Sequence, residues 1–137
     1  MMKTRKGYKV YPLTVAQKFH MYYAPHCPSL AVLNIGTSLT IEFELDWDEL
    51  KRAVNKAYER SEGMRVRFAK DKEGNYYQYI VKHEDQDIEF VDFSNGTMEE
   101  AEETMKAWTR VPFKLEDTQL TRVVMIKMPD GFNGLYF

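Results

Sequence analysis

The sequence predicts an α/β domain in which helices layer on a mixed sheet. Three observations carry that expectation. Residues 39–45 alternate apolar and polar, helix-capping signatures recur at Thr14, Asp46 and Thr97, and 120–128 is a nearly continuous apolar run.

Taken in order, the chain opens on a basic stretch, Met1 to Lys9, followed by the first helix signature. Thr14 caps the start and Gln17 reaches back to complete a capping box; Val15, Phe19, Tyr22 and Tyr23 share one face, and Pro25 ends the helix. From Leu39 to Leu45 the alternation predicts a strand with one wet face. Asp46 and Glu49 predict a second capping box, with Leu45 stapled onto Leu50. Trp47, Leu50, Val54, Ala57 and Tyr58 form the expected buried stripe of this helix, and Gly63 is placed to stop it.

Alternation from Met64 to Phe68, a turn at Lys72 to Asn75 and the run Tyr76 to Val81 predict a hairpin. A strand follows at Ile88 to Phe93. Thr97 and Glu100 box the start of a third helix that carries Ala101, Met105 and Trp108 on one side and stops before Pro112. Leu120 to Met128 then reads as a strand buried on both faces, and Pro129 to Gly134 turns the chain into a last strand. The order is strand, helix, strand, helix, hairpin, strand, helix, strand, strand, with no internal repeat or linker.

At 137 residues, with 44% hydrophobic content, the chain suits one core rather than two. Nineteen basic residues against 21 acidic ones leave a net charge of -2, so no nucleic-acid or anionic-membrane partner is expected. The single Cys27 cannot close an internal disulfide, no charged-then-apolar leader opens the chain, and a soluble cytoplasmic protein follows as the expectation.

Candidate chemistry is sparse. His20, His26 and Cys27 lie close together but match no zinc spacing, so no metal site is expected, and no third group orients them as a nucleophile pair. Asn95-Gly96-Thr97 matches a glycosylation acceptor, yet Thr97 already serves as a helix cap. Isolated glycines form no phosphate-cradling cluster, and the acidic run Glu99 to Glu103 suits a solvated helix start. In "RSEGMRVRF", Arg60 to Phe68, the alternation sends Met64, Val66 and Phe68 to the core and puts Arg65 and Arg67 on the opposite face, where an Arg is surface or pairs with a carboxylate.

Three stretches, in order, resemble the condensation domains of nonribosomal peptide synthetases and, more broadly, the chloramphenicol-acetyltransferase-like acyltransferases. "LTVAQKFHMY" is similar to the family's Ser-x-Ala-Gln-x-Arg-Leu-Trp/Tyr, through Thr14, Ala16, Gln17, Met21 and Tyr22, with His20 standing loosely at an Arg-type position. "RSEGMRVRF" resembles Arg-His-Glu-x-Leu-Arg-Thr-x-Phe: Arg60, Glu62, Arg65 and Phe68 match, while Ser61, Met64 and Val66 replace His, Leu and Thr. "PFKLEDTQLTR" resembles Pro-Phe-x-Leu-x-x-x-x-Leu-x-Arg at Pro112, Phe113, Leu115, Leu120 and Arg122.

The resemblance implies the N-terminal half of a chloramphenicol-acetyltransferase-like fold over residues 1–137, ending just before the family's His-His-x-x-x-Asp-Gly motif. The apolar ending Gly134 to Phe137 then reads as the strand that delivers that motif. It further implies amide-bond formation between a carrier-bound acyl or aminoacyl thioester and an acceptor amine, with no catalytic residue inside this chain and no activity alone. Substrates would arrive on the phosphopantetheine of carrier proteins, with no cofactor bound directly. Arg65 would support the active site through the motif's Asp, and Arg60, Glu62 and Gln17 would shape the fold around a tunnel. Expected partners are carrier domains and the second half of the domain. Strands from Leu120 to Phe137, short of neighbours, would also promote self-association. Two alternatives stay open: a stand-alone acyltransferase using coenzyme A or carrier thioesters, and a non-catalytic module that docks a carrier or partner.

Overall fold

The computed structural model describes residues 4–137. The basic start carries a hairpin: β1 (Thr4–Arg5) and β2 (Tyr8–Pro12) turn over Lys6 and Gly7, whose φ values of 50° and 82° suit a tight two-residue loop. β2 pairs with β5 (Tyr76–Ile80), and β5 with β4 (Val66–Lys70), giving an antiparallel sheet of order β1-β2-β5-β4. The second sheet, β3-β8-β7-β6, is mixed. In it β6 (Glu89–Asp92) runs parallel to β7 (Val124–Lys127), while β8 (Asn133–Tyr136) is antiparallel to both β7 and β3 (Ser38–Ile41). The chain thus adopts the expected α/β arrangement on a mixed sheet and adds an all-antiparallel one.

Two helices cover the second sheet, one on each face. Along β7 the side chains alternate: Val124 and Ile126 pack with Ala101 and Met105 of α3 (Met98–Thr109), whereas Met125 packs with Leu50, Val54 and Tyr58 of α2 (Trp47–Arg60). The α2 residues recur every four positions, which places them on one stripe. Ala57 lies off it and is exposed.

The caps at Thr14 and Thr97 are complete boxes, starting α1 (Val15–Tyr23) and α3. At Asp46 only half of the expected box forms: its carboxylate accepts from the Asp48 and Glu49 N–H groups, but the Glu49 side chain turns to Arg52 at 3.7 Å. Gly63 is not the stop of α2. The helix ends at Ser61 in extended backbone, and Glu62–Arg65 forms a short 3-10 turn, so β4 begins two residues later than the alternation suggested.

Other boundaries also move. β3 ends at Ile41 because the Asn133 side chain, not a backbone partner, takes the Phe43 carbonyl at 3.1 Å. The apolar run from Leu120 pairs as strand only from Val124. β7 and β8 are the inner strands of their sheet, so the expected shortage of strand neighbours there is not found; the edges are β3 and β6. Apolar exposure lies on α1 instead, which buries no residue and leaves Val15 85%, Phe19 60% and Tyr22 69% exposed.

Candidate functional site

A cleft of about 570 Å³ opens at the end of the second sheet, where β8 finishes and β7 begins. Val54 and Ala57 of α2 form one wall, Trp108 of α3 another, Leu135 and Tyr136 the floor. Phe113 and Leu120 close a further side from the irregular segment 112–123.

Its one charged side chain is neutralised in place. Arg122 donates to Glu89 at 2.7 Å, and its guanidinium lies 4.8 Å from the centroid of the Trp108 ring. The remaining polar groups are mostly tied to protein atoms: Thr109 and Tyr136 share a hydroxyl bond of 2.7 Å, and Thr121 meets the Tyr58 hydroxyl at 3.0 Å. Burial pushes the Tyr58 phenol up, so it stays protonated beside the cleft. The Asn34 amide donates to the Thr109 and Val111 carbonyls at 2.8 and 2.7 Å, which fixes the loop that borders the opening. Such a lining favours a neutral, apolar ligand.

Of the residues expected to support the site, Arg65, Arg60, Glu62 and Gln17, none lines this cleft. Arg65, half-buried in the 3-10 turn, donates from Nε to the Tyr58 carbonyl (2.9 Å), from one terminal nitrogen to the Val81 carbonyl (2.6 Å) and from the other to the Glu59 carbonyl (3.1 Å). It therefore caps the carbonyl end of α2 and ties it to the end of β5. Among the described residues its partners are these backbone oxygens, because Arg65 precedes the strand and points back at the helix terminus. Arg67 donates to the Val66 carbonyl and to Gln119 Oε1, and burial lowers its pKa.

Arg60 and Glu62 are exposed on either side of the Ser61 cap. Gln17 sits elsewhere, bonded to Gln78 of β5 at 2.8 Å. β5 is thus the element that links Gln17 with Arg65, through Gln78 at one point and Val81 just beyond the strand. His20 Nδ1 meets the Ala16 carbonyl and the Cys27 thiol the Tyr23 carbonyl.

The cleft itself was not among the sites read from the sequence. The signal lay in Phe113, Leu120 and Arg122, three positions of the Pro-Phe-x-Leu stretch that all line it.

A family model described as a condensation domain matches residues 8–137, and the chain belongs to that family. Among curated proteins, it is 22% identical over 118 residues to a plipastatin synthase polypeptide of Bacillus subtilis (strain 168), covering 86% of this chain and 5% of that protein. It is 28% identical over 128 residues to a surfactin synthase polypeptide of the same organism, covering 88% and 4%. In fold it matches the first condensation domain of the calcium-dependent antibiotic synthetase, solved with a substrate analogue, at a TM-score of 0.81 and 23% identity over 93% of this chain and 31% of that one. The starter condensation domain of rhizomide synthetase, solved with C8-CoA, matches at 0.80 and 18% identity over 93% and 30%. A four-domain nonribosomal peptide synthetase bound to AMP and glycine matches at 0.76 and 15% identity over 98% and 10%. The chain therefore spans about a third of the solved condensation domains and a small part of the synthetases. Among the described residues no helix is long and apolar enough to cross a membrane.

Proposed function

We propose that residues 1–137 form the N-terminal part of a nonribosomal peptide synthetase condensation domain, and that the cleft is a wall of the tunnel in which an acyl or aminoacyl thioester meets an acceptor amine. The observation that carries this reading is the position of the cleft: it opens at the carboxyl end of β8, where the family resemblance puts the His-His-x-x-x-Asp-Gly segment, inside a stretch matched by the condensation model.

The reaction joins the amine nitrogen to the thioester carbonyl carbon and breaks the carbon–sulfur bond; the amine proton ends on the departing thiol. To this reaction the chain supplies orientation and a dry surface. An apolar lining keeps water, the competing nucleophile, away from the thioester. The base would come from the family motif, whose second His suits proton transfer near neutral pH. Arg65 acts as an organiser: by holding the end of α2 against the end of β5 it supports the region that the family motif joins. Arg60 and Glu62 flank the same turn, and Gln17 braces β5 from its other side. Substrates arrive on phosphopantetheine arms of carrier domains, in keeping with the multidomain synthetase among the structural neighbours.

The test is product formation. The 137-residue chain, given an acyl-carrier thioester and an aminoacyl-carrier acceptor, should release no amide by mass spectrometry. The same residues continued into the rest of a condensation domain should do so. Turnover by the short chain would contradict the reading, and carrier binding without turnover by the longer one would favour a docking module.

A further inference from the structure

Residues 112–123 run from the end of α3 to the start of β7 as a strap with little regular structure that touches the first sheet in its middle. One residue fastens its middle. Asp117 sits at a φ of 58°, a left-handed conformation that Asp adopts more readily than most side chains. Its N–H donates to the Phe68 carbonyl of β4 at 2.7 Å. Its carboxylate accepts from Arg5 of β1 on both oxygens and from the Tyr79 hydroxyl of β5 at 2.7 Å, with Lys6 4.0 Å away. A single side chain thus engages β1 and β5 while its backbone engages β4. Glu116 adds a pair with Lys70 at 3.3 Å.

Beyond this point the strap meets the cleft within a few residues. The Gln119 amide nitrogen lies within hydrogen-bond distance of the Tyr58 hydroxyl, Gln86 Oε1 and the Thr121 carbonyl at 3.2, 3.0 and 3.0 Å, and Arg122 reaches Glu89 and Trp108. Two residues of chain span at most about 7 Å, so Asp117 and Gln119 are held close to each other.

We propose that Asp117 is a positioning residue: gripped by Arg5 and Tyr79, it holds the strap on the first sheet and thereby sets the cleft wall made by Phe113, Leu120 and Thr121. The latch stands on the geometry alone. Only its consequence for an acyl ligand rests on the function proposed above.

The test uses the 137-residue chain with Trp47→Phe, leaving Trp108 beside Arg122 as the sole indole. Asp117→Gly keeps the left-handed backbone accessible and removes the carboxylate, while Arg5→Met removes its main partner. Each should raise amide hydrogen exchange across 112–123 by more than tenfold and shift Trp108 emission, with Val124–Lys127 still protected; the double variant should add little to either. Unchanged exchange and emission in Asp117→Gly would overturn the proposal. So would equal acceleration in β7, which would make Asp117 a determinant of the whole fold. Binding of octanoyl-N-acetylcysteamine thioester, measured alongside, tests the acyl reading separately, since a working latch with no binding would sink that reading and leave this one standing.

Discussion

Asn34 donates its side-chain amide to the Thr109 carbonyl, joining the loop before β3 to the last turn of α3 across 75 residues of sequence. The same amide reaches the Val111 carbonyl, so one side chain satisfies an oxygen of the last helical turn and one just past the Arg110 cap. Asn34→Ala should cost about 1–2 kcal/mol in urea denaturation, the range for a partly buried hydrogen-bonded amide. Asn34→Asp should cost at least as much, because it puts a negative charge at the negative end of a helix dipole. Full stability in either variant would contradict the bridge.

Gly36, two residues on, has no room for a side chain: a Cβ there would lie 2.4 Å from Thr109 Oγ1 and 2.6 Å from the Tyr136 hydroxyl. Gly36→Ala is expected to break the Thr109–Tyr136 hydroxyl bond and destabilise by about 1–3 kcal/mol, as overpacking does. Thermal melting of the variant beside Thr109→Ser, which removes the one crowding methyl but keeps the hydroxyl, checks this; equal melting temperatures for Gly36→Ala and the parent would refute it.

Arg65 separates from its neighbours in the motif. Arg65→Lys retains the charge but cannot reproduce three divergent N–H donors, so about 1–3 kcal/mol should be lost. Arg60→Ala and Glu62→Ala, at exposed positions, should stay within about 0.5 kcal/mol. Denaturant midpoints for the three variants decide it, and equal effects would show that the motif does not single out Arg65.

Tyr79 gives a pH dependence with a definite sign. Burial, and then the Asp117 carboxylate, push its phenol up to about 12. A folded pKa raised above the unfolded value of about 10 stabilises fully below pH 10, and that contribution disappears as pH rises through 12. The stability difference between the parent and Tyr79→Phe should therefore be flat to about pH 10 and shrink beyond it. A difference that grows with pH would reverse the assignment.

α1 presents Val15, Phe19 and Tyr22 to solvent. The 137-residue chain should self-associate as concentration rises, and Phe19→Glu with Tyr22→Glu should abolish it. Sedimentation velocity would show this, and a monomer at every concentration would refute it.

What the sequence made legible was local. The Thr14 and Thr97 boxes, the turn at Gly74 and the stripe Leu50, Val54, Tyr58 depend on residues within a few positions of one another, and all are found. The misplacements come from distant partners. β3 stops where the Asn133 side chain intervenes, β7 starts only where β6 and β8 are available, and Arg65 faces a helix end that alternation cannot see. The cleft belongs to that second kind: Ala57, Trp108, Phe113 and Leu135 meet only once both helices and the strap are in place. Motif resemblance reached some of its lining, through Phe113, Leu120 and Arg122, without indicating that they face a common space.

The most direct test of the cleft as an acyl site is calorimetric titration of the 137-residue chain with octanoyl-N-acetylcysteamine thioester, beside Ala57→Phe. Ala57 is exposed and lines the cleft, so the larger ring fills that space with little cost to the core. The predicted result is saturable binding by the parent that is lost in Ala57→Phe while the melting temperature is retained. Binding equal in the two proteins, or absent from the parent, would contradict the acyl site.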